Sequence, residues 1–151
     1  MDYAQAFAVS AAGMTLERSR VDVAALNLAN ANTLITGDGV GFQPLRVVAR
    51  VSALALPSFA DEVDRGLQSL DLSNVALPQA IIEPAGVQPR RVYQPESPFA
   101  DAQGYLSYPG VDTATEMLSL MTALRGYEAN VAAMNTSRTL VLKTLDIGGP
   151  T

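Results

Sequence analysis

Three groups of residues have types and spacing that could do chemistry. Gly37-Asp38-Gly39-Val40-Gly41 has the glycine content of a phosphate-cradling loop. Such a loop works when a helix follows it, because the helix N-terminus turns its free N–H groups toward the anion. Here Phe42-Gln43-Pro44 and a strand-like run follow, so a simple turn is the better reading. Asp61, Glu62 and Asp64 form a carboxylate cluster of the kind that binds a cation or moves protons. A hard cation needs several oxygens converging from a shaped loop. This stretch lacks EF-hand spacing and reads as a solvated acidic loop. Lys143 is the only lysine and would be the base of any serine–lysine pair. Its plainer role is that of a cation near a helix C-terminus, where it complements the helix dipole.

The residues that are missing narrow the chemistry further. There is no histidine and no cysteine. Ordinary hydrolytic triads, thiolate metal sites, cysteine nucleophiles and disulfides are thereby excluded. No catalytic residue, cofactor or metal ligand is expected. The net charge of -5, with Arg90-Arg91 as the only adjacent basic pair, is too little for a phosphate-tracking surface and argues against a nucleic-acid binder. No run of about 18 apolar residues spans a membrane. Met1-Asp2-Tyr3-Ala4 lacks the cationic start of a cleaved signal peptide.

What remains is architecture. The 151 residues suit one structural unit. All nine prolines except Pro150 fall between Pro44 and Pro109, so the helix-breaking residues are confined to the middle. The expected fold is mainly α with a small β insert. Residues 1–33 form an N-terminal helix, 34–111 an extended, β-rich and proline-containing middle, and 112–149 a C-terminal helix. The two terminal helices are expected to pair as a coiled coil.

Asp2 to about Ala31 reads as a helix, with Asp2 and Gln5 as a capping pair. Ala4, Phe7, Ala11, Met14, Arg18, Val21, Ala25 and Leu28 alternate spacings of three and four, a heptad-like stripe. Arg46–Leu56, Val75–Glu83, Gly86–Tyr93 and Gly104–Pro109 read as short strands. Thr113 to about Ile147 is a second helix, opened by a Thr113-Ala114-Thr115-Glu116 capping box. Its stripe is Met117, Leu120, Leu124, Tyr127, Val131, Met134, Arg138, Val141 and Leu145. That is a packing seam of about five heptads, on a helix roughly 50 Å long.

With aromatics at only 6% and much of the apolar content alanine, burial must come from helix–helix contact, including contact with other chains. Asn27, Asn30, Asn130 and Asn135 lie in or beside the stripes. They are either plain helix-end and surface residues or register-setting amides. Arg18 and Arg138 interrupt the stripes, either meeting Glu17, Asp22 or Glu128 or covering the seam with their aliphatic stems. Gly13 and Gly126 permit either close helix approach or a bend.

At Asn27-Leu28-Ala29-Asn30-Ala31-Asn32-Thr33 the chain resembles the N-terminal signature of the bacterial flagellar rod and hook axial family. Asn27, Leu28, Ala29, Asn30, Asn32 and Thr33 match that signature, and Gly41–Val48 is similar to the segment where the family's first strand begins. Val92–Pro98, Ala100–Leu106, Pro109–Asp112, Arg125–Val131 and Leu142–Gly148 narrow the resemblance to the C-type proximal rod proteins. Gly110 departs from the pattern, which usually has asparagine there, and roughly Leu54–Gln88 matches nothing residue by residue.

The resemblance implies a non-enzymatic subunit of the flagellar drive-shaft. It implies export by the flagellar type III apparatus, without a cleaved signal, into a rod within the periplasm. The implied partners are proximal and distal rod proteins, components next to the export gate and MS ring, and further copies of the chain. The competing readings are another axial member such as the B-type rod protein, a non-flagellar helical assembly module, and a small hydrolase using the acidic cluster.

Overall fold

In a computed structural model of the chain, residues 3–35, 41–51 and 77–148 are described. The element order is α1 (Tyr3–Asn30), β1 (Leu45–Val51), β2 (Pro78–Pro84), β3 (Arg90–Tyr93), β4 (Tyr105–Tyr108) and α2 (Thr113–Gly148). Two long helices therefore enclose a small β region. The acidic cluster Asp61, Glu62 and Asp64, residues Gly37–Val40 of the glycine-rich turn, and Asp2 of the first capping pair all lie outside the described residues. No helix among the described residues is long and apolar enough to cross a membrane.

The helices form where alanine and other good helix formers run without proline. The end of α1 is local chemistry. The Asn30 side chain donates to the Leu26 carbonyl at 2.8 Å, and the Thr33 amide returns to the Asn30 carbonyl at 3.0 Å. The start of α2 differs from the expected capping box. Asp112, one residue earlier, accepts from the Ala114 amide at 3.2 Å and from the Thr115 hydroxyl at 2.5 Å. An aspartate is the better cap because its carboxylate also complements the positive end of the helix. That leaves the Glu116 side chain available for a longer-range contact. At the far end, α2 runs on to Gly148 with no basic residue in its last turn, so Lys143 lies short of the position where the helix dipole would favour it.

β1 and β2 pair antiparallel from Leu45 opposite Pro84 to Val51 opposite Pro78. Arg46 and Glu83 face each other across the pair, with guanidinium-to-carboxylate contacts of 3.0 and 2.7 Å, and Arg50 reaches the other carboxylate oxygen at 3.5 Å. β3 and β4 form a second antiparallel pair, Arg90 opposite Tyr108 and Tyr93 opposite Tyr105. Ile35, in the chain leaving α1, bridges to Ser107 on the other side of β4. The amide of Ile35 donates to the Ser107 carbonyl at 2.9 Å. Both β pairs therefore sit at the end of α1 that carries the asparagines.

Leu106 and Pro109 are buried where the second pair meets the rest of the chain. Gly110 follows in a tight place, because a Cβ there would run into the backbone carbonyl oxygen of Gln88. A backbone oxygen cannot swing aside as a side chain does. Gly110→Ala is therefore expected to destabilise the isolated chain by about 1–3 kcal/mol, the usual cost of overpacking. Thermal unfolding of the variant checks this, and an unchanged midpoint would show that the Gln88–Gly110 approach is slack.

Candidate assembly interface

Asn27 is the most deeply buried polar residue described, at 1% exposure. Its carboxamide pairs with the backbone of Leu45 at two points. The Leu45 amide donates to Oδ1 at 2.9 Å, and Nδ2 donates to the Leu45 carbonyl at 2.8 Å. Nδ2 also donates to Glu116 Oε1 at 3.0 Å. One side chain thus ties together the last turns of α1, the first residue of β1 and the first turn of α2. An asparagine suits this place because an amide carries donors and an acceptor, which matches a backbone peptide group. Of the two signature asparagines, Asn27 makes the cross-element contacts. Asn30 bonds within its own helix end.

α1 and α2 lie antiparallel. A Cβ on Gly13 would meet Asn130, one on Gly126 would meet Glu17, and Asn27 touches Glu116. Moving ten residues on along α1, from Glu17 to Asn27, moves ten residues back along α2, from Gly126 to Glu116. The facing positions on α1 are Ser10, Gly13, Glu17, Ala24 and Asn27, with Ala31 just past its end, and on α2 they include Glu116, Leu120, Ala123, Gly126, Asn130 and Met134. Ser10, Ala24, Asn27, Ala31 and Ala123 are buried. Gly13 is needed for close approach: an added Cβ would stand 2.7 Å from Asn130 Oδ1, in a side chain held by its bond to the Gly126 carbonyl at 2.9 Å. Glu17 binds Arg20 on its own helix at 2.9 Å, while Arg18 and Arg138 are exposed.

This contact is displaced by about one residue from the stripes read in the sequence. Phe7, Met14, Val21 and Leu28 are half-buried at the flank of the contact, as are Val131 and Val141, while Leu120 and Met134 of the stripe are half-buried within it. Met117, Leu124, Tyr127 and Leu145 do not lie in the contact within one chain. Their exposures are 54, 44, 39 and 66%. Of the remaining signature residues, Ala29, Asn32 and Thr33 are exposed. The physical reason for the displacement is size. Small residues let two helices approach closely, whereas large ones hold them apart, so Ser10, Gly13, Ala24, Ala123 and Gly126 occupy the closest part of the contact. A sequence signal for this existed, since Ser10, Gly13, Glu17, Ala24, Asn27 and Ala31 also step by threes, fours and one seven. It is hidden when seams are sought only among large apolar residues. Leu45 and Asp112 have no such periodic signal.

The large apolar side chains left outside form a surface. Met117, Leu118, Met121 and Leu124 are all exposed along the first turns of α2, and Leu140, Leu142 and Leu145 near its end. Contiguous apolar exposure of this kind marks a site of protein association. No group of acidic residues that could hold a metal occurs among the described residues.

Two carboxylates are held below the usual carboxylate range. Asp101 is stabilised as an anion chiefly by the Tyr105 amide, then by the Gln103 amide and the Arg91 guanidinium. Asp112 is stabilised chiefly by the Thr115 hydroxyl and then by the Ala114 amide. Both are turn and cap groups, and hydrogen bonds to the charged form explain both shifts.

Comparison with known proteins agrees with this geometry. Residues 102–147 match the family described as "Flagellar basal body rod FlgEFG protein C-terminal". The chain is 35% identical to the flagellar basal-body rod protein FlgC of Escherichia coli O6:H1, over 94% of this chain and 95% of that protein. It is 34% identical to FlgC of Bacillus subtilis, over 93% and 94% of the two chains. It is 32% identical to FlgC of Salmonella typhimurium, over 94% and 95%. Identity at this level over nearly the full length, on a helix–β–helix chain built around the signature asparagine, settles the family: the chain belongs to the FlgC family of flagellar basal-body rod proteins, which are structural subunits and not enzymes.

Proposed function

We propose that the chain is a subunit of the proximal rod that packs through α1 and α2 against neighbouring rod subunits and so carries torque along the drive-shaft. The observation that supports this most is the inversion of its helix pair. Small residues occupy the contact within the chain, and Met117, Leu118, Met121, Leu124 and Leu145 are left exposed. Burying a large aliphatic side chain is worth about 1.5–3 kcal/mol, so a stripe of them drives association with further helices. In the assembled state the stripes of Phe7, Met14, Val21 and Leu28 and of Met117, Leu120, Leu124, Tyr127, Val131, Met134, Val141 and Leu145 pack as a multi-chain coiled-coil layer. The partners are other rod proteins, proximal and distal, and components next to the export gate and the MS ring. The rod lies in the periplasm, reached through the flagellar type III export apparatus. The Asn27–Thr33 signature sets how α1 ends and docks.

Complementation tests the reading. With the gene deleted in its own host, cells are expected to lose swimming and to stop building rods, and the chain supplied in trans is expected to restore both. Isolated basal bodies with complete rods in the deletion strain would refute it.

A further inference from the structure

The chain has no cysteine, no tryptophan and no histidine, so the thioethers of its five methionines are the side chains that an oxidant attacks most readily. Met1 lies outside the described residues. Met14 and Met134 are half-buried, Met134 within the contact between α1 and α2 and Met14 at its flank. Met117 and Met121 are placed differently, at 54 and 61% exposure. They stand four positions apart on α2, so their side chains lie on one face, a turn from each other. Leu124 continues that face at the next turn and is also exposed. The support beneath them is regular helix, capped at its start by Asp112.

We propose that Met117 and Met121 form a paired oxidation site that closes this face of α2 to assembly. In the free subunit a sulfur lone pair attacks a peroxide, the O–O bond breaks and an S–O bond forms. The thioether loses two electrons and becomes a sulfoxide, and the second peroxide oxygen leaves and is protonated to water or an alcohol. A dithiol reductase reverses the step, returning the thioether with water and a disulfide on the reductase. The chain has no thiol to do this itself.

The consequence follows from the two forms of the side chain. A thioether is apolar and adapts its shape to a neighbour. A sulfoxide is polar and chiral, and its oxygen seeks a hydrogen-bond donor. On the free chain water supplies that donor, so the fold does not depend on the oxidation state of these two residues. A helix packed against the face offers none along its length, because its backbone N–H groups are already committed to its own carbonyls. Each oxidised methionine would therefore bury an acceptor without a partner, and a buried polar group left unpaired opposes association about tenfold or more. The inference rests on the reading of the chain as a rod subunit that buries this face of α2, and it adds a chemical control on that burial.

The purified full chain is treated with hydrogen peroxide and the oxygen gained by each methionine is followed by peptide mass spectrometry. Met117 and Met121 are expected to oxidise at least roughly threefold faster than Met14 and Met134, since oxidation follows exposure, with the circular dichroism spectrum unchanged. One rate for all four overturns the proposal. In cells lacking the gene, the native chain and a Met117→Leu/Met121→Leu chain are each supplied in trans and pulsed with hydrogen peroxide while rods are being built. Leucine keeps the apolar volume of the contact and removes the sulfur. Complete rods are counted as the ratio of treated to untreated cells within each strain, so that general oxidative damage cancels between strains. The ratio for the native chain is expected to fall about tenfold further than that for the double variant. An equal fall in the two strains overturns the oxidation site, and the rods counted in untreated cells leave the rod reading standing.

Discussion

Replacing Asn27 with alanine is expected to unfold the junction between α1, β1 and α2. The substitution strands the Leu45 amide and carbonyl, which Asn27 now satisfies at 2.9 and 2.8 Å. Each buried group left without a partner costs about 1–3 kcal/mol. For a chain of this size each kcal/mol lowers the melting temperature by roughly 2–4 °C. The melting temperature should therefore fall by several degrees, with hydrogen-exchange protection lost first at the end of α1 and along β1. Asn30→Ala should do much less, because its side chain serves only the end of its own helix. Asn27→Asp is a sharper probe. It keeps the acceptor for the Leu45 amide, loses the donor, and sets a second carboxylate against Glu116, a like-charge contact that disfavours both ionised forms. Glu116→Gln should recover part of that loss. If Asn27→Ala melts as the unmodified chain does, the carboxamide is not what holds the three elements together.

Leu124→Asp is expected to leave the isolated chain folded and to abolish rod assembly. Leu124 is 44% exposed and lies outside the contact between α1 and α2. Surface substitutions away from special features usually change stability by no more than about 0.5 kcal/mol. In a packed assembly the same aspartate would be a buried, unpaired charge, with a desolvation penalty of several kcal/mol. The expected pattern is a near-normal melt for the monomer, undiminished synthesis, no complete rods and no swimming, with Leu124→Met retaining function because it preserves volume and polarity. Normal motility in the Asp variant would remove this face of α2 from the packing surface.

These two residues mark the division between what could be read along the chain and what could not. Proline-free ends and a proline-rich middle determine two long helices around a β region, since proline removes a donor and breaks helices wherever it falls inside them. The short strands were legible for the same kind of local reason, from β-branched and tyrosine-rich runs such as Arg46-Val47-Val48 and Tyr105-Leu106-Ser107-Tyr108. The absence of histidine and cysteine removed most enzyme classes before any fold was known. The motif around Asn27 pointed to the axial group, and segments such as Ala100–Leu106 narrowed it to the family that the relatives show.

The helix contact itself was decided in three dimensions. Periodicity gives the angular direction of a stripe but does not say whether its partner belongs to the same chain or to another one. Large residues such as Met117 and Leu124 dominate any hydrophobic stripe, yet steric approach selects Gly13 against Asn130 and Gly126 against Glu17 for the contact within the chain. The role of Asn27 was likewise set by tertiary geometry. Its partners Leu45 and Glu116 lie 18 and 89 residues away, and no local pattern ties an amide to a strand's backbone and to a carboxylate at those separations. The cap of α2 at Asp112 is a local matter, but it leaves Glu116, which the capping-box motif assigns to its own helix, for the contact with Asn27 that only the meeting of the two helices creates.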